Sequence, residues 1–388
     1  MKILSIETSC DETAISILEV TGPKEAPVFK ILSNVVRSQI EIHQEFGGVF
    51  PFVAKREHVT NLPPILIENL KQANMYKLNE GPTSIQSEKL QELLSHEPGL
   101  ADEVIKIAEE IEKPDIDYIA VTSGPGLEPA LWVGINFAKA LHMIWGIPVM
   151  PVNHMEGHAL SILMDSEKTD SQSIALKDFK FPALALLISG GHTELVVIKS
   201  WLEYQKIGAT RDDAVGEAFD KVARLLGIPY PGGPEVSRLA REGVPRTDVT
   251  LPRPMIKTDD YEFSFSGIKT AVLYLLKNFP EIDEQTKSDI CREFETAVTE
   301  VLVSKTLRAV DEFCAETLIV AGGVAGNTYI RGRFDEALKN HNIKTYFPTK
   351  NLGTDNSLMI AIVGALHILE GKEFPKIETI KADSNLSL

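Results

Sequence analysis

The chain has 388 residues, 39 of them Lys or Arg against 55 Asp or Glu, for a formal net charge of −16. Hydrophobic residues make up 44% and charged residues 24%, a globular composition that excludes wholesale disorder. The acidic balance excludes a generic nucleic-acid coat, because nonspecific binding rests on Lys and Arg neutralising phosphates; a local basic patch or a basic partner stays compatible with it.

This length suits two domains, or one large two-lobed one. No segment approaches the ~20 apolar residues that span a bilayer. Glu7, Asp11 and Glu12 interrupt any secretory leader, so a cytoplasmic protein with no membrane association is expected. Cys10, Cys291 and Cys314 lie far apart and make neither a disulfide framework nor a CxxC metal knuckle.

In chain order, residues 2–7 (KILSIE) predict a strand, 8–12 a polar turn and 13–18 a second strand, a hairpin with small hydroxyl residues at its tip. Residues 72–113 mix helical pattern with loop signals. Within them Val104, Ile107, Ala108 and Ile111 follow i, i+3, i+4, i+7 spacing and predict one docked helix. Residues 117–122 (DYIAVT) predict a strand, followed by Ser123-Gly124-Pro125-Gly126-Leu127 and a helix to about His142. Residues 148–152 read as a buried strand, and 165–180 as a charged, serine-rich, solvated loop. The hairpin plan returns at 182–198 (ALALLIS, Gly190-Gly191-His192, TELVVI). The strand–glycine–helix plan returns at 317–321 (TLIVA), with Gly322-Gly323-Val324 and a helix from near Asn327. Tight glycine turns let backbone N–H groups approach an anion, and the helix N-terminus adds a favourable dipole. The repeat predicts a duplicated α/β fold with two lobes facing across a nucleotide and metal cleft. The expected lobes are 1–152, with 356–388 packing back on it, and 153–355.

Three places carry chemistry. His154-Met155-Glu156-Gly157-His158 sets two histidines at i and i+4, on one face of a helix where they can converge on a metal. An isolated HxxxH is more often a surface or capping pair. Here it opens a helix at the C-terminal edge of a buried strand, where α/β sites cluster. Glu156 points off that face, unlike the glutamate of HExxH. Asp355, in Gly353-Thr354-Asp355-Asn356 before an apolar helix at 358–368, is the best third ligand. The third place is 212–227, read as a helix capped by Asp212. Val215, Ala218, Phe219, Val222, Ala223 and Leu226 form its buried face, and Gly227 ends it. Glu217, Asp220, Lys221 and Arg224 form a polar face that is either solvated or, through Asp220, a ribose acceptor. The proline-stiffened turn at 229–234 after it suits a flat ligand such as adenosine.

The stretches IETSCDET, HQEFGGVFP, TSGPGLEPALWVG, NHMEGH, ISGGHTELV, GEAFDKVARLLG, YPGGP, FSFSGIKTAV, AGGVAGN and TDNSLMIA resemble, in order and over nearly the whole chain, the TsaD family. That family was once named O-sialoglycoprotein endopeptidase and has relatives in the KEOPS complex. The resemblance implies an actin-like ATPase (ribonuclease H-like) fold with duplicated lobes. It also implies transfer of threonylcarbamoyl from threonylcarbamoyl-AMP to N6 of adenosine 37 in tRNAs reading codons that begin with A. By motif, His154, His158 and Asp355 would hold one divalent metal ion per subunit, iron(II) or zinc. Leu187, Ile188, Ser189, Gly190, Gly191, Asp220, Gly233 and Asn327 would bind the adenylate, and Glu12 would sit near the reacting centre. The implied partners are tRNA, a TsaB-like paralogue and a TsaE-like ATPase, with a TsaC-type enzyme making the intermediate. The chain departs from the family pattern at Phe52, where an acid is usual, at Glu128-Pro129, where a small apolar pair is usual, and in the long 72–113 region. The rival readings are a metal-dependent peptidase, a small-molecule kinase of the same fold, and a noncatalytic ATP-sensing module.

Overall fold

The computed structural model describes residues 1–81, 86–165, 173–177, 179–348 and 355–388. The chain divides into two compact units, 1–177 with 355–387, and 178–354 with Leu388.

In the first unit β1 (Lys2–Glu7) and β2 (Glu12–Thr21) pair antiparallel with Ile6 opposite Ile15, leaving residues 8–11 as the tip. Both strands are buried almost throughout, so they read as apolar runs with little alternation. A third strand, β3 (Val28–Ser38), continues the meander, an element the sequence reading lacks. Next come α1 (Ile40–Gln44) and α2 (Pro51–Gln72), which opens on a proline in its first turn. The stretch read as mixed folds into two short helices, α3 (Ser87–Leu93) and α4 (Leu100–Glu110). Val104, Ile107 and Ala108 lie on the buried stripe of α4, as their spacing predicts, joined by Leu100, while Ile111, also buried, stands just past the helix as its C-cap.

β4 (Tyr118–Gly124) lies parallel to β1. α5 (Glu128–Trp145) begins with the departing pair Glu128-Pro129, where an acid favours the helix dipole and a proline forfeits no helical hydrogen bond. β5 (Val149–Asn153) runs parallel to β4 and leads into α6 (His154–Ser161). β6 (Met164–Asp165) and β7 (Ser173–Leu176) extend the sheet, with β7 pairing onto β3. The serine-rich stretch expected as a solvated loop therefore contributes strand at both flanks, while 166–172 and 178 lie outside the described residues.

The second unit starts with β8 (Ala183–Ile188), β9 (Thr193–Ser200) and β10 (Glu203–Ala209), an antiparallel meander. Four helices follow: α7 (Val215–Leu225), α8 (Gly232–Glu242), α9 (Ser266–Leu276) and the long α10 (Glu284–Glu312). β11 (Thr317–Ala321) runs parallel to β8, a 3₁₀ turn (Gly323–Gly326) precedes α11 (Thr328–Ala337), and β12 (Lys344–Tyr346) pairs parallel to β11.

The duplication is explicit in strand order. The five core strands run β3-β2-β1-β4-β5 in one unit and β10-β9-β8-β11-β12 in the other, with matching antiparallel and parallel pairings. Glycine is required at the equivalent loop after the fourth strand. Gly126 has φ +157° and a side chain there would meet Ser9 O at 2.7 Å; Gly322 has φ +90° and would meet Ile188 O at 2.4 Å. In each unit, then, the glycine loop lies against the hairpin's backbone, at its loop in the first unit and at the end of β8 in the second.

The apolar α12 (Ser357–Leu369) returns to the first unit and packs on β1, β2 and α6. The division differs from the expected boundary at 152/153. Pairing of β5 with β4, and of β7 with β3, keeps these strands and the described residues between them with the first unit, and α12 brings Asp355 with it. Among the described residues no helix is long and apolar enough to cross a membrane.

Candidate functional site

The first unit carries the histidine pair. Asn153 caps α6 by accepting from the Met155 and Glu156 amides at 2.8 and 3.2 Å, so His154 is the first helical residue and His158 sits one turn on. Asn356 caps α12 in the same way, accepting from Met359 N at 3.1 Å, which leaves Asp355 just outside the helix start. His154 Nε2, His158 Nε2 and Asp355 Oδ1 form a triangle with sides of 3.1, 3.0 and 3.4 Å. Ligands about 2.1 Å from one ion stand roughly 3.0 Å apart at right angles and roughly 3.4 Å apart at the tetrahedral angle. The donor set and its spacing therefore fit a divalent cation, and among the described residues these three form a group that can hold one.

Behind the trio lies Glu7, completely buried at the end of β1. Its Oε2 accepts from His154 Nδ1 at 3.0 Å and from Thr122 Oγ1 at 2.6 Å, while Oε1 accepts from Ser9 N at 2.5 Å. A carboxylate on the far nitrogen fixes the imidazole tautomer and aims Nε2 at the other two ligands. Burial opposes charge on His154, but Asp355 and Glu7 outweigh it and hold the imidazole well above its usual value. Burial likewise opposes ionisation of Asp355, and the two histidines overcome it and pull that carboxyl well down. An environment that stabilises positive charge so strongly suits a cation. Glu12, half-buried at the start of β2, is pushed up to about 10 by burial and by the nearby Asp355 and Asp11 carboxylates; a bound cation would oppose that shift. Glu156 turns away from the pair, accepting from His367 Nε2 in α12 at 3.0 and 3.1 Å.

In the second unit a cavity of about 560 Å³ is lined by Gly190, Asp220, Gly233, Asn327 and, among others, Ser237 and Arg241. Of the residues expected to bind an adenylate, Gly190, Asp220, Gly233 and Asn327 line it. Leu187 and Ile188 do not: both are completely buried in β8, where they make the sheet. Ser189 and Gly191 build the turn, with Ser189 Oγ accepting from His192 N at 3.0 Å and Gly191 N at 3.3 Å. Asp220 Oδ1 accepts from Gly232 N at 2.8 Å and thereby holds the start of α8. Burial raises its carboxyl above the usual range, and the Gly232 and Gly233 amides oppose the rise. Asn327 caps α11 through Tyr329 N and Ile330 N, at 2.8 and 3.0 Å, and its amide donates to Glu295 at 2.7 Å and Ser237 at 2.9 Å.

One local expectation is corrected. Asp212 does not cap α7, whose N-cap is Ala214. It instead accepts from the Ser264 and Ser266 hydroxyls at 2.6 and 2.7 Å and the Phe265 and Ser266 amides at 2.8 and 3.1 Å, pinning the start of α9. The reading also missed Glu7, Ser237 and Arg241. A lone acid closing an apolar strand, and an i, i+4 pair after the YPGGP turn, were the available signals.

The family model for tRNA N6-adenosine threonylcarbamoyltransferase, TsaD, matches residues 30–79 and 94–362. The chain belongs to the TsaD family. A threonylcarbamoyltransferase of Persephonella marina is 42% identical over 94% of this chain and 89% of its own length. One of Thermosipho africanus is 40% identical over the full length of both. The crystal structure of full-length HypF, in its phosphate- and nucleotide-bound form, aligns with 96% of this chain at a TM-score of 0.54 and 15% identity. The chain spans about half of HypF, 47% of its length, and the likeness is one of fold. The duplicated sheets and this likeness give the family's actin-like fold.

Proposed function

We propose that this TsaD-family enzyme forms threonylcarbamoyladenosine by moving the threonylcarbamoyl group of threonylcarbamoyl-AMP to N6 of adenosine 37 in tRNAs reading codons that begin with A. Family membership already makes it a tRNA N6-adenosine threonylcarbamoyltransferase. The observation that supports the finer reading is the convergence of His154, His158 and Asp355, backed by Glu7.

The donor is a mixed carbamoyl–phosphate anhydride, already activated, so no covalent nucleophile is needed. The N6 amine attacks the carbamoyl carbon, the carbon–oxygen bond to phosphate breaks, AMP leaves, and the amine loses a proton. A divalent ion, iron(II) or zinc, would be held by His154, His158 and Asp355 and would supply Lewis acidity to the transfer. Glu7 keeps His154 in the ligating tautomer. Glu12, ionised where a bound cation offsets its burial, would take up the proton the amine releases. Gly190, Gly233, Asp220 and Asn327 hold the adenylate, the glycines by letting its flat base and ribose approach the backbone. A TsaB-like paralogue, a TsaE-like ATPase and a TsaC-type source of the intermediate complete the system in the cytoplasm. The peptidase alternative needs a general base beside the metal, and Glu156, bound to His367, faces elsewhere.

The test is a transfer assay with unmodified tRNA, threonylcarbamoyl-AMP and the chain with and without these partners. Modified nucleoside at position 37, lost in the Asp355→Ala variant, is the expected result. Peptide hydrolysis that requires Glu156, without nucleoside modification, would overturn the reading.

A further inference from the structure

Three aromatic side chains between β3 and the first turn of α2 are turned to solvent: Phe46 is 55% exposed, Phe50 49% and Phe52 73%. Phe46 and Phe50 stack, with ring centroids 5.8 Å apart and planes 24° from parallel. Single exposed apolar residues are ordinary; a stacked pair with a third ring close by in sequence is not.

The patch is tied to the hairpin loop that leads into Glu12. The Cys10 carbonyl can only accept, so His58 donates to it from Nε2 at 3.0 Å and its Nδ1 accepts. Thr13 Oγ1 donates to that nitrogen at 2.8 Å and Gln39 Nε2 at 3.3 Å. Gln39 Oε1 in turn accepts from His43 Nε2 at 3.2 Å, and His43 Nδ1 accepts from the Phe50 amide at 3.3 Å. Gln39 N also donates to Asp11 O at 2.8 Å. The result is a one-directional hydrogen-bond chain from Phe50 N to Cys10 O through two completely buried histidines. Burial keeps both rings neutral, with His58 lowered to about 4 and His43 below its usual value, as the chain requires.

We propose that Phe46, Phe50 and Phe52 form a stacking platform for unpaired bases of the tRNA anticodon loop, held in fixed relation to the Cys10–Glu12 loop. The proposal rests on tRNA being the substrate. An adenosine that presents N6 must leave its stack, and its unpaired neighbours then need aromatic faces in place of one another. Two of the cations along this segment are already engaged, Arg37 by Glu68 at 3.7 Å and Lys55 by the buried Glu97 at 3.5 Å, so the contact falls to the rings and not to charge.

The test uses the full chain with its partners and compares wild type, Phe46→Ala/Phe50→Ala, Phe46→Tyr/Phe50→Tyr and Phe52→Ala. The Ala pair should raise the Kd for an anticodon stem-loop and the KM for tRNA about 10- to 100-fold, the range expected for lost base stacking. Donor KM and metal content should stay unchanged, the Tyr pair should behave as wild type, and Phe52→Ala should weaken RNA severalfold if the pair fails to fold. Wild type should quench 2-aminopurine placed in the anticodon loop, and the Ala pair should not. Unchanged RNA affinity in folded variants overturns the platform, and loss of partner co-elution with RNA affinity intact reassigns the patch to a protein contact. Quenching needs no turnover, so absence of transfer by wild type counts against the substrate reading and leaves this test standing.

Discussion

Glu7 ends β1 as a completely buried acid among apolar residues, a costly position unless its charge is met. It is met by Thr122, the Ser9 amide and His154, and burial's upward pull on its carboxyl is overcome so that it titrates below its usual value. Glu7→Gln should therefore lower metal affinity about 10- to 100-fold, the usual cost of losing a group that orients a ligand, with circular dichroism unchanged. A metal titration superimposable on wild type would remove Glu7 from this role. Asp355→Ala should lose most bound metal, whereas Glu156→Ala should keep it, since Glu156 contacts His367 in place of the trio; elemental analysis of the purified variants decides both. The histidine pair was legible from i, i+4 spacing because one helical turn is local geometry. Glu7, His43 and His58 were not, because their partners lie on other strands and helices.

At the scale of elements, hydrophobic periodicity located α4 and α12, and glycine placed the loops after β4 and β11. Capping was harder to read. Asp212 stands where an N-cap of α7 is expected, yet the β10–α7 turn aims it at Ser264 and Ser266, and satisfying two hydroxyls and two amides there outweighs capping a nearer helix. Partial burial opposes its ionisation, but those donors prevail and hold the carboxyl below its ordinary value. The unfolded chain, with a value near 3.9, then binds the extra proton. The contribution is complete above about pH 4 and is lost as pH falls through the folded value. Denaturant unfolding of wild type and Asp212→Asn should differ at pH 7 and converge toward pH 3; equal differences at both would show that the charge is immaterial. Gly322→Ala forces a left-handed residue and a 2.4 Å contact onto Ile188 O, so it should destabilise the second unit by about 1–3 kcal/mol. A midpoint equal to wild type would mean that this loop relaxes freely.

For the molecule as a whole, a net charge of −16 disfavours tRNA, so the isolated chain should bind it weakly at physiological salt and partner addition should strengthen binding. Equal, tight binding by chain and complex would contradict this. What the sequence by itself determined is the repeat: each hairpin and each strand–glycine–helix unit is built from neighbours in the chain, so its pattern survives in one dimension, although β3 and β10, which complete the shared strand order, left no such mark. Family membership was legible for the same reason, through ten ordered motifs. What only the tertiary structure decided is which pieces meet. Asp355 reaches the histidines because the apolar α12 buries itself against β1, β2 and α6, and that packing, driven by removal of apolar surface from water, has no local signature. The same holds for the unit boundary, since β7 joins the first sheet by pairing with β3. It holds again for Leu187 and Ile188, whose glycine-rich neighbours suggest a ligand while their burial assigns them to the core.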